Sequence, residues 1–338
     1  MNKNEIIKIE NLIKTDEFIE LFKKLKQEKH KIILLGLGGS YAYGLNGENS
    51  DVDLRGILRP PINNLLGFGE FEQYVDEETD TVLYDFNKMI KLLCSCNPNT
   101  IEILGLKEGH YIIKHEVGQD LLRNKTMFLS QRALNSFKGY SLAQLHRLEN
   151  ALCRDVYTPE QRLKHLKNAL ERATMSFERR YAHFTKDNTI KIEVKDNDLV
   201  LNCDFNNYPI GELSGILGEL KEVYRSYDKL NTRNNKKDNE HLNKHICHIF
   251  RLLFMYIDIA SKMEIITYRE KEHDFLINVK NGLFINEDGT LRKEFYEAYS
   301  QLEKEVEYVT KHTVLPENPN LEKIEEFLVE SNKRTINR

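Results

Sequence analysis

Between Lys31 and Ile57 the chain reads KIILLGLGGSYAYGLNGENSDVDLRGI, a run that few folds accept. Ile32, Ile33, Leu34 and Leu35 form a short apolar block, which predicts a buried strand at about 31–37. Gly36, Gly38 and Gly39 follow, where the backbone can turn tightly and approach a ligand closely. A Gly39-Ser40 turn leading into a short helix offers N–H groups and a hydroxyl to a phosphate. Asp51 and Asp53 come eleven and thirteen residues after Ser40. On a strand at about 51–58 their side chains share a face and can converge. Two carboxylates beside a phosphate cradle are what a Mg²⁺ site needs. The bland alternative is a surface loop in which Ser50 and Asp51 cap a turn.

An apolar strand, Gly-Ser, a short helical spacer and Asp-x-Asp, in that order, resemble the nucleotidyltransferase signature of the DNA polymerase beta superfamily. The extended form, GSYAYGL and then SDVDLRGI, resembles more narrowly the RlaP or YcgL type of nucleotidyltransferase linked to RNA repair. The strand–Gly-Ser–Asp-x-Asp part is the specific one. Weaker matches run on to about residue 282: NPNTIEIL at 97–104, a Lys-x₃-His-x₂-Arg helix at Lys244, His248 and Arg251, and REKEHDFLINVKNG at 269–282.

The resemblance implies a third acid on a neighbouring strand. DTVLYDF at 80–86 reads as that strand, with Asp80 and Asp85 at its ends. Five apart, they point to opposite faces of a regular strand. Family resemblance favours Asp80, and Asp85 would equally suit the N-terminal dipole of a following helix at 87–96. Asp51, Asp53 and Asp80 are therefore the expected catalytic and metal-binding set, holding Mg²⁺ or alternatively Mn²⁺. Gly39 and Ser40 are expected on the nucleotide phosphates. Arg55 shares the face of Asp53, either to neutralise the triphosphate or to bridge the aspartates. Glu102 follows the Asn-Pro-Asn turn, as a hydrogen-bonding partner of the site or as one polar residue of a core helix.

His241, Lys244, His245, His248 and Arg251 recur at three- and four-residue spacing and form one polar stripe on an otherwise apolar helix. Lys244 and Arg251 are candidates for the triphosphate or the acceptor's phosphates. A solvated or inter-domain face and a histidine metal site are the alternatives. Arg132, Lys138, Arg147, Arg154, Arg162, Lys164 and Lys167, with Tyr140 and Tyr157 for stacking, offer an RNA groove, or simply charged helix faces in water.

At 338 residues the chain has room for two domains. The expected fold is α/β (α+β). A polymerase-beta-like nucleotidyltransferase domain with a mixed sheet spans 1–125. A mainly helical substrate-binding domain spans 126–330, with a β-hairpin at about 189–205, and 331–338 form a disordered tail. Helices are expected within 5–29, where Ile6, Ile7, Ile9 and Leu12 are apolar, and at 126–150, 159–185, 211–230, 240–268 and 292–312. A polar connection is expected at 231–240 and a loop at 62–79. Net charge is −4, which excludes an overall basic coat but not local phosphate patches. The five cysteines follow no zinc or disulfide spacing, which fits a reducing cytoplasm. No secretion signal is seen, and no apolar run reaches the roughly 18–20 residues of a membrane span.

The expected activity is Mg²⁺-dependent transfer of an NMP from an NTP to a hydroxyl, with release of pyrophosphate. The acceptor is RNA, at a tRNA-like end or a repair site. AMP transfer to a protein hydroxyl, transfer to a small molecule, and an inactive nucleotide sensor are the competing readings. ATP is the expected nucleotide, although no residue names the base, and oligomeric state is not legible.

Overall fold

The computed structural model describes residues 11, 13–47, 50–175, 177–184, 188–228 and 239–336. The expected apolar positions Ile6, Ile7, Ile9 and Leu12, the connection at 231–238 and the last two residues lie outside these. Contact density divides the chain into two compact units. One comprises residues 1–142, 247–278 and 297–338, and the other 143–246 and 279–296. The sheet-bearing unit is thus completed by segments from far along the chain.

That first unit opens with α1 (Asp16–Gln27), whose Phe18, Leu21 and Leu25 repeat at helical spacing and are buried. Strand β1 (Lys31–Leu37) follows as expected, then α2 (Gly39–Tyr43), β2 (Leu54–Arg59) and α3 (Ile62–Leu66). Pro60 and Pro61 end β2. Next come β3 (Gln73–Asp76), β4 (Thr81–Asp85), α4 (Phe86–Cys94), α5 (Pro98–Ile101), a 3₁₀ turn (Glu102–Gly105), β5 (Tyr111–Lys114) and α6 (Glu116–Arg123).

The five strands form one mixed sheet in the order β3-β4-β2-β1-β5. Only β2 and β4 run parallel, with Leu54 beside Thr81 and Leu58 beside Asp85. Leu34, Leu54, Ile57, Leu58 and Leu83 are fully buried on the central strands. Burial of each contributes about 1.5–3 kcal/mol. The edge strand β3 and the short helix α3 fall where the sequence predicts a loop. In β3 only Tyr74 and Asp76 are partly buried, while Gln73 and Val75 are exposed, so it carries no apolar run to announce it.

The remaining elements are helices apart from one hairpin. They are α7 (Gln131–Asp155), α8 (Pro159–Thr174), α9 (Phe177–Arg180), the antiparallel pair β6 (Thr189–Lys195) and β7 (Asp198–Asp204), α10 (Ile210–Asp228), α11 (Asn239–Lys262), α12 (His273–Lys280), α13 (Lys293–His312) and α14 (Leu321–Ile336). Helix α14 takes in most of the stretch expected as a tail. Thr158 caps α8 in a capping box with Gln161, as Thr-Pro-Glu suggests. The second unit has its own core of Leu170, Phe177, Ile192, Ile216 and Leu220. No described helix is long and apolar enough to cross a membrane.

The chain after α11 straps back across the sheet-bearing unit. Thr267 donates its amide to Gly105 and its hydroxyl to the Glu102 carbonyl, the latter at 2.6 Å. A His273 ring nitrogen lies 3.0 Å from the Gly44 carbonyl. A side chain at Gly44, where φ is +74°, would collide with Tyr268. Arg269 anchors the strap: 3% exposed, it reaches Asp258 at 2.6 Å and Glu272 at 3.1 Å. Removing one partner of a buried pair strands the other charge. Arg269→Met is therefore expected to lower the unfolding free energy by about 3 kcal/mol in urea titrations. A loss under about 1 kcal/mol would mean that Lys262, also paired to Asp258, suffices alone.

Candidate functional site

Strand β1 delivers the chain into Gly38 and Gly39 beside the start of β2. The Gly38 amide donates to the Asp53 carbonyl at 2.7 Å, so pairing continues past the last regular residue of β1. Asp51 and Asp53 therefore lie in the extended lead-in to β2 rather than on the strand itself. Their alternation still holds, with Val52 buried between an exposed Asp51 and a partly buried Asp53. Gly39 has φ +50°, and a Cβ there would lie 1.5 Å from Asp53 Oδ2. At Gly38 it would lie 2.8 Å from Arg55 Cγ and 3.2 Å from Asp53 Cβ. Gly39 is needed because the Asp53 carboxyl occupies the space a side chain would fill, and Gly38 because the Arg55 stem and Asp53 Cβ do.

Asp80 meets Asp53 from the other side. It does not open β4 as a regular strand residue. It sits in the preceding turn at φ +43°, a conformation that aspartate tolerates, so strand parity does not govern where it points. Its carboxyl interacts with that of Asp53, raising the one group and lowering the other. Burial, then Asp80, push the Asp53 carboxyl up to about 7. Asp80 is held below the usual carboxylate range, chiefly by Asp53 and then by Arg55.

Arg55 bridges the set. Its Nη1 donates to the Asp80 carbonyl at 2.6 Å and to its neighbour Leu54's at 2.9 Å. Its Nη2 lies 3.3 Å from Asp80 Oδ1 and 3.9 Å from Asp53 Oδ1. Asp85 instead caps α4, accepting from the Lys88 amide at 3.1 Å.

Among the described residues, no three His, Cys, Asp or Glu side chains form a ready cage for a metal ion. The Asp53–Asp80 pair nevertheless suits Mg²⁺. Both donors are hard carboxylate oxygens, and a cation can replace the proton that Asp53 holds up to about 7. Asp51 adds negative charge that also raises Asp53.

Next to this pair opens a cavity of about 320 Å³. Gly38, Gly39 and Arg55 line one part of it, and Val82, Tyr84 and Met89 supply apolar and aromatic wall. Asn99, Thr100, Glu102 and Arg251 add polar groups. Asn97 caps α5 by accepting from the Asn99 amide, and Pro98 takes its first position, so the Asn-Pro-Asn turn sets where Glu102 emerges. Burial pushes the Glu102 carboxyl up to about 7 against the pull of Arg251. The Arg251 guanidinium stacks 3.3 Å over the Tyr43 ring.

The other members of the histidine stripe have partners elsewhere. His248 packs edge-on against Tyr140, whose hydroxyl accepts from Asn99. A His245 ring nitrogen lies 3.0 Å from the Gln144 side-chain oxygen in the second unit. Lys244, also in that unit, pairs with Glu240 one turn away and does not line the cavity. Tyr157 packs against His165. Sequence reasoning gave no role to Tyr43, Tyr84 or the side chain of Asn99. Tyr43 lies inside the GSYAYGL motif, and Asn99 inside NPNT, so both were in view without a partner to identify them.

A family model described as RlaP, RNA repair pathway DNA polymerase beta family, matches residues 13–191, more than half of the chain. Neither the curated proteins nor the solved structures give a match.

Two outcomes follow from this geometry. Gly39→Ala is expected to lower stability by about 2 kcal/mol, because it combines a positive φ with a collision. It also displaces the Asp53 carboxyl, so ¹³C carboxyl NMR should find Asp53 titrating well below 7. The second outcome concerns pH. Asp53 and Glu102 hold protons up to about 7, whereas in the unfolded chain they release them near about 4. Across that window these two groups bind more protons in the native state, so their contribution to stability without metal falls as pH rises and levels off above about 7, against the opposite contribution of the partly buried His30 and His165. Glu102→Gln should make the fall shallower in unfolding titrations at pH 5 through 8. An unchanged slope would show that Glu102 titrates normally.

Proposed function

We propose, from the premise that this chain belongs to the RlaP family of the DNA polymerase beta type, a nucleotidyltransferase family linked to RNA repair, that it transfers an NMP from an NTP to a hydroxyl of RNA and releases pyrophosphate. The observation that carries this reading is the Asp53 carboxyl wedged between the Gly39 backbone and Asp80, at the edge of a cavity sized for a small ligand. Asp51, Asp53 and Asp80 are the residues that would hold Mg²⁺. Bound there, the ion would neutralise triphosphate charge and lower the pKa of the attacking hydroxyl.

The chain's own groups do the rest. The Gly38–Gly39 backbone can approach phosphate oxygens without a Cβ in the way, and Ser40 adds a hydroxyl at the start of α2. Arg55 already balances Asp80, and it adds positive charge where pyrophosphate would leave. Asp80, held ionised beside Arg55, would accept the proton of the attacking hydroxyl. Arg251 assists from the cavity wall.

The test incubates the protein with Mg²⁺, total RNA and each α-³²P-labelled NTP, beside an Asp51→Ala/Asp53→Ala double variant. Label on RNA that drops at least about 10³-fold in the variant supports the proposal. Label on the protein itself moves the acceptor to a protein hydroxyl. Absence of label on any acceptor, despite NTP binding, would sink RNA transfer and leave a sensor or a small-molecule acceptor.

A further inference from the structure

Glu102 and Arg251 present an unusual pairing. Both line the cavity beside the carboxylate pair. Glu102 Oε2 and Arg251 Nε are each buried without a hydrogen-bond partner. Their charges act on one another, yet no N···O contact within 4.0 Å joins them among the described residues. Other contacts anchor the guanidinium and the Glu102 backbone. The Arg251 guanidinium lies 3.3 Å over Tyr43, and the Glu102 backbone carbonyl accepts from the Thr267 hydroxyl at 2.6 Å. Buried polar atoms without partners carry a desolvation penalty, and a ligand that supplies the missing bonds relieves it.

The chemistry of the cavity narrows that ligand. A carboxylate on the wall repels phosphate, so the triphosphate belongs toward Gly38, Gly39 and Arg55. The part that remains is flanked by Tyr84, Met89 and Leu106, apolar and aromatic walls that suit a flat heterocycle. A cavity of about 320 Å³ has room for a nucleoside and not for a folded strand.

We infer that Glu102 and Arg251 read the base of the incoming nucleotide and select guanine. Above about pH 7, where Glu102 is ionised, its carboxylate offers two adjacent acceptors, and the Arg251 guanidinium lining the same cavity offers donors. The pairing edge of guanine presents a carbonyl acceptor followed by two adjacent N–H donors, which is the complement. Adenine places a ring acceptor where guanine has its N–H, directly against the carboxylate. Uracil has one donor between two acceptors, and cytosine has one donor followed by two acceptors. None of these three supplies two adjacent donors. Such a matched bidentate contact discriminates by about tenfold or more. The inference rests on the proposal that the cavity takes an NTP.

The experiment measures equilibrium binding of GTP, ITP, ATP, UTP and CTP to the full chain in Mg²⁺ at about pH 8, where Glu102 is ionised, followed by label transfer to RNA from each labelled triphosphate. GTP is expected to bind at least about tenfold more tightly than ATP, with ITP, which lacks the 2-amino donor, in between. Glu102→Gln should weaken GTP and narrow the gap to ATP, since an amide cannot accept two hydrogen bonds side by side. The wild-type comparison of GTP with ITP decides the matter even if the variant folds poorly. Equal binding of all five triphosphates overturns the base assignment, and label transfer in that case leaves the catalytic proposal standing. Preference for GTP without label on RNA supports the base assignment and overturns the RNA transfer. No binding of any triphosphate overturns both.

Discussion

The contact between the Asp53 carboxyl and the backbone of Gly39 is the constraint on which the rest of the site depends. It forces glycine at a positive φ at the first residue of α2, where a Cβ would overlap Asp53 Oδ2. It fixes the carboxyl in a half-buried position, where a bare charge is costly and a proton or a cation is required. It also sets the register in which Asp80 and Arg55 can arrive. The parallel pairing of Leu54 with Thr81 brings the turn at Asp80 alongside the lead-in to β2. Arg55, the second residue of β2, then reaches both the carbonyl and the carboxylate of that turn.

Charge divides the cavity into two parts. Beside the glycines lies a negative pair balanced by Arg55. On another wall Glu102 and Arg251 form an unbridged pair of opposite sign, supported by Tyr43 beneath the guanidinium. The strap from Thr267 to His273 ties these supports together. It bonds to Glu102, Gly105 and Gly44, and Arg269 locks it to Asp258 on α11, the helix that carries Arg251. The buried ion pair at Arg269 is therefore best understood as positioning the wall of the cavity. Its net contribution to stability is a secondary matter.

The sheet-bearing part of the fold was legible where hydrophobic pattern and turn residues agree. β1 and α2 follow from KIILLGL and the glycines, and the hairpin from alternation around Asp196 and Asn197. Strands β3 and β5 were not legible. Each is a four-residue edge strand with partly exposed side chains, and pairing decides such strands more than composition does. The choice between Asp80 and Asp85 illustrates the same limit. Parity on a regular strand leaves them symmetrical alternatives, and it is a left-handed turn at Asp80 and a helix cap at Asp85 that separate them.

The sequence by itself determined the family, the strand–glycine–carboxylate run and the residue types a phosphate and a cation require. These are properties of neighbours along the chain, where spacing of two residues on an extended backbone dictates which side chains share a face. Tertiary structure alone decided which distant groups meet that run. Arg251 comes to Tyr43 across two hundred residues, Thr267 to Glu102, and the Asp80 carboxyl to Asp53. Sequence spacing carries no information about such contacts, because they depend on how separate elements pack and on which backbone turn aims each side chain.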